Sequence, residues 1–189
     1  MSNKPLISAG EIVVLKPDSS TGLSALSGSG QINIPGADLT KGVRLLGMPA
    51  YTIDVPYDIS RPSTPGIGNA VINPVVCTLA VDESAVSAFK CVCAGTNLGN
   101  VSIFQLTTTG NALQVLTHVV LSNTILGEID ISFDLNRDKE TGEGLEASYT
   151  LICNVITQVT NATDQDGNRT GVAGAQITAA TPESDQVAT

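Results

Sequence analysis

Few side chains in this chain are equipped for chemistry, and their spacing argues against most of it. His118 is the single histidine of 189 residues. It lies between Thr117 and Val119, and the sequence marks neither the acid partner nor the nucleophile that a catalytic triad needs. No Gly-x-Ser-x-Gly elbow occurs. His118 is therefore expected to be a structural strand residue. Asp134-x-Asn136-x-Asp138 has the oxygen spacing of a calcium loop. Position six is then Lys139 instead of glycine and position twelve is Leu145 instead of glutamate, so the pattern fails. In Asp164-Gln165-Asp166-Gly167-Asn168, Ala162 stands where a first ligand belongs. Both segments read as solvated turns. Gly-x-Gly at 28–30 and at 66–68 neither follows a strand nor opens a helix, as a phosphate loop must. Asn100-Val-Ser102, Asn161-Ala-Thr163 and Asn168-Arg-Thr170 fit the glycosylation acceptor pattern, which acts only on secreted chains.

Cys77, Cys91, Cys93 and Cys153 are the four thiols. Cys91 and Cys93 form Cys-x-Cys, without the paired Cys-x-x-Cys spacing of zinc and redox sites. All four sit in apolar company, so buried reduced thiols acting as small hydrophobes are expected. The residues thus nominate no catalytic, cofactor-binding or metal site and no cofactor.

The elements are those of a β protein. Ile129, Ile131, Phe133 and Leu135 alternate with Asp130, Ser132 and Asp134, the period of a strand with one buried and one wet face. Residues 11–16 read as a first strand, and 18–30 as a flexible Gly/Ser loop. Six prolines from Pro35 to Pro74 imply short edge strands and extended loop, with 51–55 a short strand and 61–69 an exposed loop. Then follow a strand at 75–81 and a short helix at 82–93. Asp82 or Ser84 would cap the helix, Ala85, Phe89 and Val92 fall at helical spacing, and Gly95 would end it. Strands at 101–107 and 113–125 flank a turn at 108–111. Gly127 marks a bulge before 129–135. A charged turn at 136–144 precedes a last long strand at 146–159. From Asn161 the chain reads as a mostly extended or disordered polar tail, with Ile177 an isolated hydrophobe. This organisation predicts one β-barrel or sandwich domain at 1–160, Gly/Ser- and Pro-rich in its N-terminal half, and a polar extension at 161–189.

Composition narrows the partners. Nine Lys and Arg against 18 Asp and Glu give a net charge of -9. That disfavours nucleic acid and anionic membrane surfaces, both of which attract cations. No apolar run approaches the ~20 residues of a membrane span. The first ten residues lack the apolar core of a secretory leader, so synthesis in the cytoplasm is expected. Aromatic residues are only 3%, which leaves few stacking platforms for sugars or single strands. Charged residues are 14%, well under the usual ~25%. Two readings fit so poor a charge: a surface largely covered by other subunits, or an uncharged polar β surface.

The order of elements over Pro74–Val159 resembles the tube proteins of contractile injection machines. These are the haemolysin-coregulated protein of type VI secretion and the phage tail-tube proteins. The resemblance lies in the short helix Glu83–Cys93, then Val101-Ser-Ile-Phe-Gln-Leu, then Val115–Leu126 with its Leu-Ser-Asn-Thr-Ile step, and Tyr149-Thr-Leu-Ile-Cys-Asn-Val-Ile after a polar excursion. The first 74 residues do not resemble the family's N-terminal strands closely. The resemblance implies two packed antiparallel sheets forming a small β-barrel with one short α-helix. It implies a non-catalytic subunit that forms hexameric rings stacked into a hollow tube. Its partners would be other copies of itself, sheath, baseplate or spike proteins, and effector cargo in the lumen, with no nucleic-acid specificity and no membrane insertion. The tube would be assembled in the cytoplasm and expelled, or form part of a virion. Loop 18–30 could reach a neighbouring ring, and Asp130, Asp134 and Glu146 fall on wet strand faces. The working residues would be apolar strand edges and loops. A capsid or surface-layer subunit, or a small non-catalytic binding or effector domain, remains the alternative.

Overall fold

In a computed structural model of the chain, the described residues are 12–18, 26–28, 30–34, 37–54, 57–58, 66–67, 70–109, 112–133, 145–163 and 169–178. The chain forms β1 (Ile12–Pro17), β2 (Gln31–Ile34), β3 (Ala37–Thr40), β4 (Val43–Leu45), β5 (Ile53–Asp54), β6 (Tyr57–Asp58), β7 (Gly66–Ile67), β8 (Val71–Ile72) and β9 (Val75–Ala80). Helix α1 (Ser84–Ala94) follows, then β10 (Asn97–Thr109), β11 (Ala112–Phe133), β12 (Leu145–Ile152), β13 (Val155–Thr163) and β14 (Arg169–Thr178).

Strand β11 is the axis of the fold. One of its edges pairs with β10 over residues 112–125; the other pairs with β13 at 117–122 and then with β12 at 125–133. From it spreads an eight-stranded antiparallel sheet in the order β14-β13-β11-β10-β1-β4, with β12 and β9 branching from the far half of β11. The sheet coils until β4 meets β9, where the Leu46 N–H donates to the Thr78 carbonyl at 2.9 Å. A nearly closed barrel results. One wall is β9, β12 and the C-terminal half of β11; the other is β10, β1 and β4.

Coiling needs local irregularity, and β11 has it in two places. At Asn123 the backbone is left-handed (φ 53°), and the Thr124 hydroxyl donates back to the Leu121 carbonyl at 2.8 Å. Opposite, Gly99 is also left-handed (φ 64°), its N–H held by Asn97 Oδ1. The second irregularity is the register shift between Leu126 and Glu128, the bulge anticipated at Gly127. Each bulge bends and twists the strand. Each also reverses side-chain parity, so Val119, Leu121, Thr124 and Leu126 all point inward and are buried.

The barrel interior is packed with Val13, Leu15, Val43, Leu45, Cys77, Leu79, Ile103 and Tyr149, among others. Each such side chain is worth roughly 1.5–3 kcal/mol of burial. Helix α1 lies against β11 and turns Ser84, Ala85, Ala88 and Cys91 inward. The Ser84 and Tyr149 hydroxyls pair at 2.8 Å, which satisfies two buried polar groups. At its start the Asp82 carboxylate accepts the Ser84 N–H at 2.8 Å; at its end the N–H of left-handed Gly95 donates to the Val92 carbonyl and the Thr96 N–H to the Cys91 carbonyl. A second apolar cluster lies outside the β1–β10 wall. There Val14 and Leu106 are covered by Ile34 and Leu39 of the β2–β3 hairpin.

Several expectations are corrected. Phe89 does not face the core: it is 61% exposed, because small residues at 84, 88 and 91 are what let the helix approach the sheet. Ile131 was expected on a buried face but is 52% exposed. Its face lies beyond the end of β10, which pairs no further than Ile125. The long strand at 146–159 is broken at Cys153–Asn154 into β12 and β13, and it is not the last. Over residues 161–163 and 169–178 the expected tail is instead the end of β13 and the strand β14, which are paired from Val155↔Thr178 to Thr163↔Arg169. Residues 179–189 lie outside the described residues. Cys93 is exposed, unlike the other three thiols. The Gly/Ser loop is docked where it is described. Leu26 is buried in the core cluster, and Gly28 and Gly30 donate to the Lys41 and Gly42 carbonyls.

That docking depends on bare glycine. A Cβ on Gly42 would press on Val14 Cγ1 and stand 2.9 Å from the Leu39 carbonyl oxygen. Gly42→Ala should therefore destabilise the chain by about 1–3 kcal/mol, as overpacked cores do. Denaturant titration of the two proteins checks this.

Candidate assembly surface

The residues able to do chemistry are dispersed by the fold. His118 stacks on Phe104 of β10, ring centroids 4.2 Å apart and planes 9° from parallel. Its Nε2 is buried with no hydrogen-bond partner, and burial pushes its pKa below the usual histidine value. Asn161 donates to the Val115 carbonyl at 2.6 Å, while its Oδ1 is buried without a partner. His118 is thus a neutral packing group on the sheet, with no acid or nucleophile against it among the contacts described. Cys77, Cys91 and Cys153 are buried, and burial raises their pKa values, Cys77 to about 12 and Cys153 to about 11. The Tyr149 hydroxyl is pushed up to about 12, mainly by burial. Among the described residues no three His, Cys, Asp or Glu side chains converge on a metal-sized site. The residues 134–144 and 164–168, which carry the two calcium-like spacings, lie outside the described residues. Asp130 is exposed and Glu146 half-buried on the outer face of their strands.

What the described surface offers instead is backbone and apolar side chains. β14 pairs with β13 and with no other strand among the described residues. Its free edge runs through Gly171, Val172, Ala173, Gly174, Ala175 and Gln176 without charge or proline, and Val172 is 58% exposed. Sheet edges that stay monomeric are normally blunted by charge, proline or a bulge. Among the described residues a second free edge belongs to β11 beyond Ile125, where β12 lies on one side and β10 has ended. Exposed apolar residues flank these edges: Ile131 and Leu145 near the end of the β11–β12 pair, and Val86 and Phe89 on the outer side of α1. Composition anticipated a surface short of charge, but not which edges stay open. β14 was missed because its small residues carry no alternating hydrophobic signal.

A nearly closed β-barrel that leaves strand edges unpaired among its described residues has the form of a self-associating structural subunit. The comparisons with known proteins agree. Residues 50–163, more than half of the chain, match the family described as type VI secretion system effector, Hcp. The chain belongs to that family of type VI secretion tube proteins. Membership implies self-assembly into the rings and tubes of the secretion system. The fold is similar to that of a solved type six secretion system protein, with TM-score 0.70 and 14% identity over 89% of this chain and 95% of that one. It is likewise similar to Hcp1 from Salmonella typhimurium, with TM-score 0.63 and 10% identity over 90% and 99%. A type VI secretion system effector from Yersinia pestis aligns at TM-score 0.56 and 13% identity over 88% and 98%. No curated protein matches the sequence. No helix among the described residues is long and apolar enough to cross a membrane.

Two measurements check the buried chemistry. In the native protein a thiol reagent should modify Cys93 quickly and the other three cysteines only slowly, with all four reacting in denaturant. Because the His118 pKa is lowered by folding, its neutral form contributes stability that is complete above about pH 6.5. That contribution should be lost as pH falls from there through the lowered native pKa. His118→Phe should flatten the stability profile between about pH 5.5 and pH 7.5, above the range where carboxylates dominate.

Proposed function

We propose that this chain is a non-catalytic subunit whose copies close into a ring, and that rings stack head to tail as the hollow inner tube of a type VI secretion apparatus. The observation that carries the reading is the family match at 50–163, set beside the open β14 edge. A strand edge that has no second partner among the described residues, and whose one charge is Arg169 at its start, is completed most simply by a strand of the next subunit. Repetition of one heterologous contact closes a ring when the rotation allows it, and a second such contact along the axis gives an open filament. Hexamers are the form proposed. Sheath and spike proteins would be the outer and terminal partners, and effectors the cargo of the lumen. The subunit would be made in the cytoplasm, assembled there and expelled with the tube.

Tag-free protein analysed by light scattering and negative-stain microscopy should show uniform rings or stacked tubes. A monodisperse monomer over a wide concentration range would end this reading. Ala173→Lys with Ala175→Lys adds charge to the β14 edge and should leave a folded monomer in the same assay.

A further inference from the structure

Charge on the barrel is sorted by wall. On β9, β12 and the C-terminal half of β11 every charged residue is acidic: Glu128, Asp130 and Glu146. On β10, β1 and β4 every charged residue is basic: Lys16 and Arg44, with Lys41 in the turn that leads into β4. All of these lie on the outside. Arg44 is exposed between buried Val43 and Leu45, Lys16 donates to the Thr40 carbonyl, and Asp130 is exposed beside half-buried Ile129. The two walls are opposite halves of one cylinder, so the charges on their described strands are opposite in sign across the barrel. Exposed Asp18 just past β1 and Asp38 on β3 soften the basic wall, and the Asp38 Oδ1 is held by the Thr40 N–H and hydroxyl.

We infer that the acidic wall of one copy docks on the basic wall of the next, and that this pairing sets the direction of assembly. The inference rests on the ring reading above and adds a face-to-face contact to the one made by the β14 edge. At net charge -9 two copies repel at long range. They approach only where one presents local positive charge, and Lys41 and Arg44 supply it. An isologous dimer through either wall would set like charges together, which costs several kcal/mol and excludes wrong partners. A heterologous contact sets opposite charges together at every step, and such contacts are the kind that build rings and filaments. The partner is therefore a second copy of this chain, turned so that unlike walls meet.

The test uses the full chain and two double variants, Lys41→Glu/Arg44→Glu and Glu128→Lys/Asp130→Lys, each checked for folding by circular dichroism. The unsubstituted chain should assemble at about 0.01 M salt. Its half-assembly concentration should rise at least about tenfold by about 1 M, as the screening length falls from about 30 Å to about 3 Å. Each variant alone should stay monomeric, because joining copies at the β14 edge would now bring walls of the same sign together. An equimolar mixture should assemble, since alternating copies restore unlike walls at every contact. If each variant assembles alone as the unsubstituted chain does, or the folded variants fail to assemble when mixed, the inference is overturned while the ring reading stands. If the unsubstituted chain never assembles at any salt, both are overturned.

Discussion

Everything in this barrel hangs on the hydrogen-bond register of one strand. β11 runs for 22 residues and serves β10 along one edge while serving β13 and then β12 along the other. A straight strand of that length would carry a flat sheet. The left-handed turn at Asn123 and the bulge at Gly127 bend it, so its first half lies in an open sheet with β13 and β14 and its second half curves into the barrel wall. A one-residue slip in register would send an entire inward row to solvent. The buried row Val119, Leu121, Thr124 and Leu126, interrupted once by the turn at Asn123, is what fixes the pairing.

That shared strand also explains why the barrel leaves edges open. β10 stops at Asn97, opposite Ile125, because the chain arrives there from α1 and has no residues left to pair further along. Among the described residues the second half of β11 therefore keeps one bare edge. At the other extreme β14 follows β13 out and ends the sheet. Closing β4 against β9 removes an edge; extending the sheet through β13 and β14 creates another. A chain that needed only a stable monomer gains little from that extension, since Val172, Ala173, Gly174, Ala175 and Gln176 of β14 are all exposed. The extension is intelligible as surface for another copy.

Much of this was legible in the sequence where two signals coincided. The helix was placed by Asp82 and Gly95 at its ends, and the bulge by a glycine between two β-branched runs. What escaped shows the limits of periodicity. Phe89 has the helical spacing of a core residue, yet the helix approaches through its small residues and leaves the ring outside. The break at Cys153–Asn154 is marked by a single asparagine between Leu151-Ile152-Cys153 and Val155-Ile156, because the chain changes from one neighbour strand to another with similar hydrophobicity on either side. β14, rich in glycine and alanine, reads as linker by composition and becomes a strand only because β13 offers it nine partners. Pairing of that kind is tertiary information and leaves no local trace.

An assembly surface is built from backbone edges, small residues and a modest imbalance of charge, spread over whole strands. Lys16 and Arg44 are unremarkable residues alone, as are Glu128 and Asp130. They acquire meaning once the sheet order puts β1 and β4 in one wall and β11 and β12 in the other, and that order is set by the register of β11. The functional reading of such a chain follows from its topology, because topology decides which ordinary residues face the neighbour together.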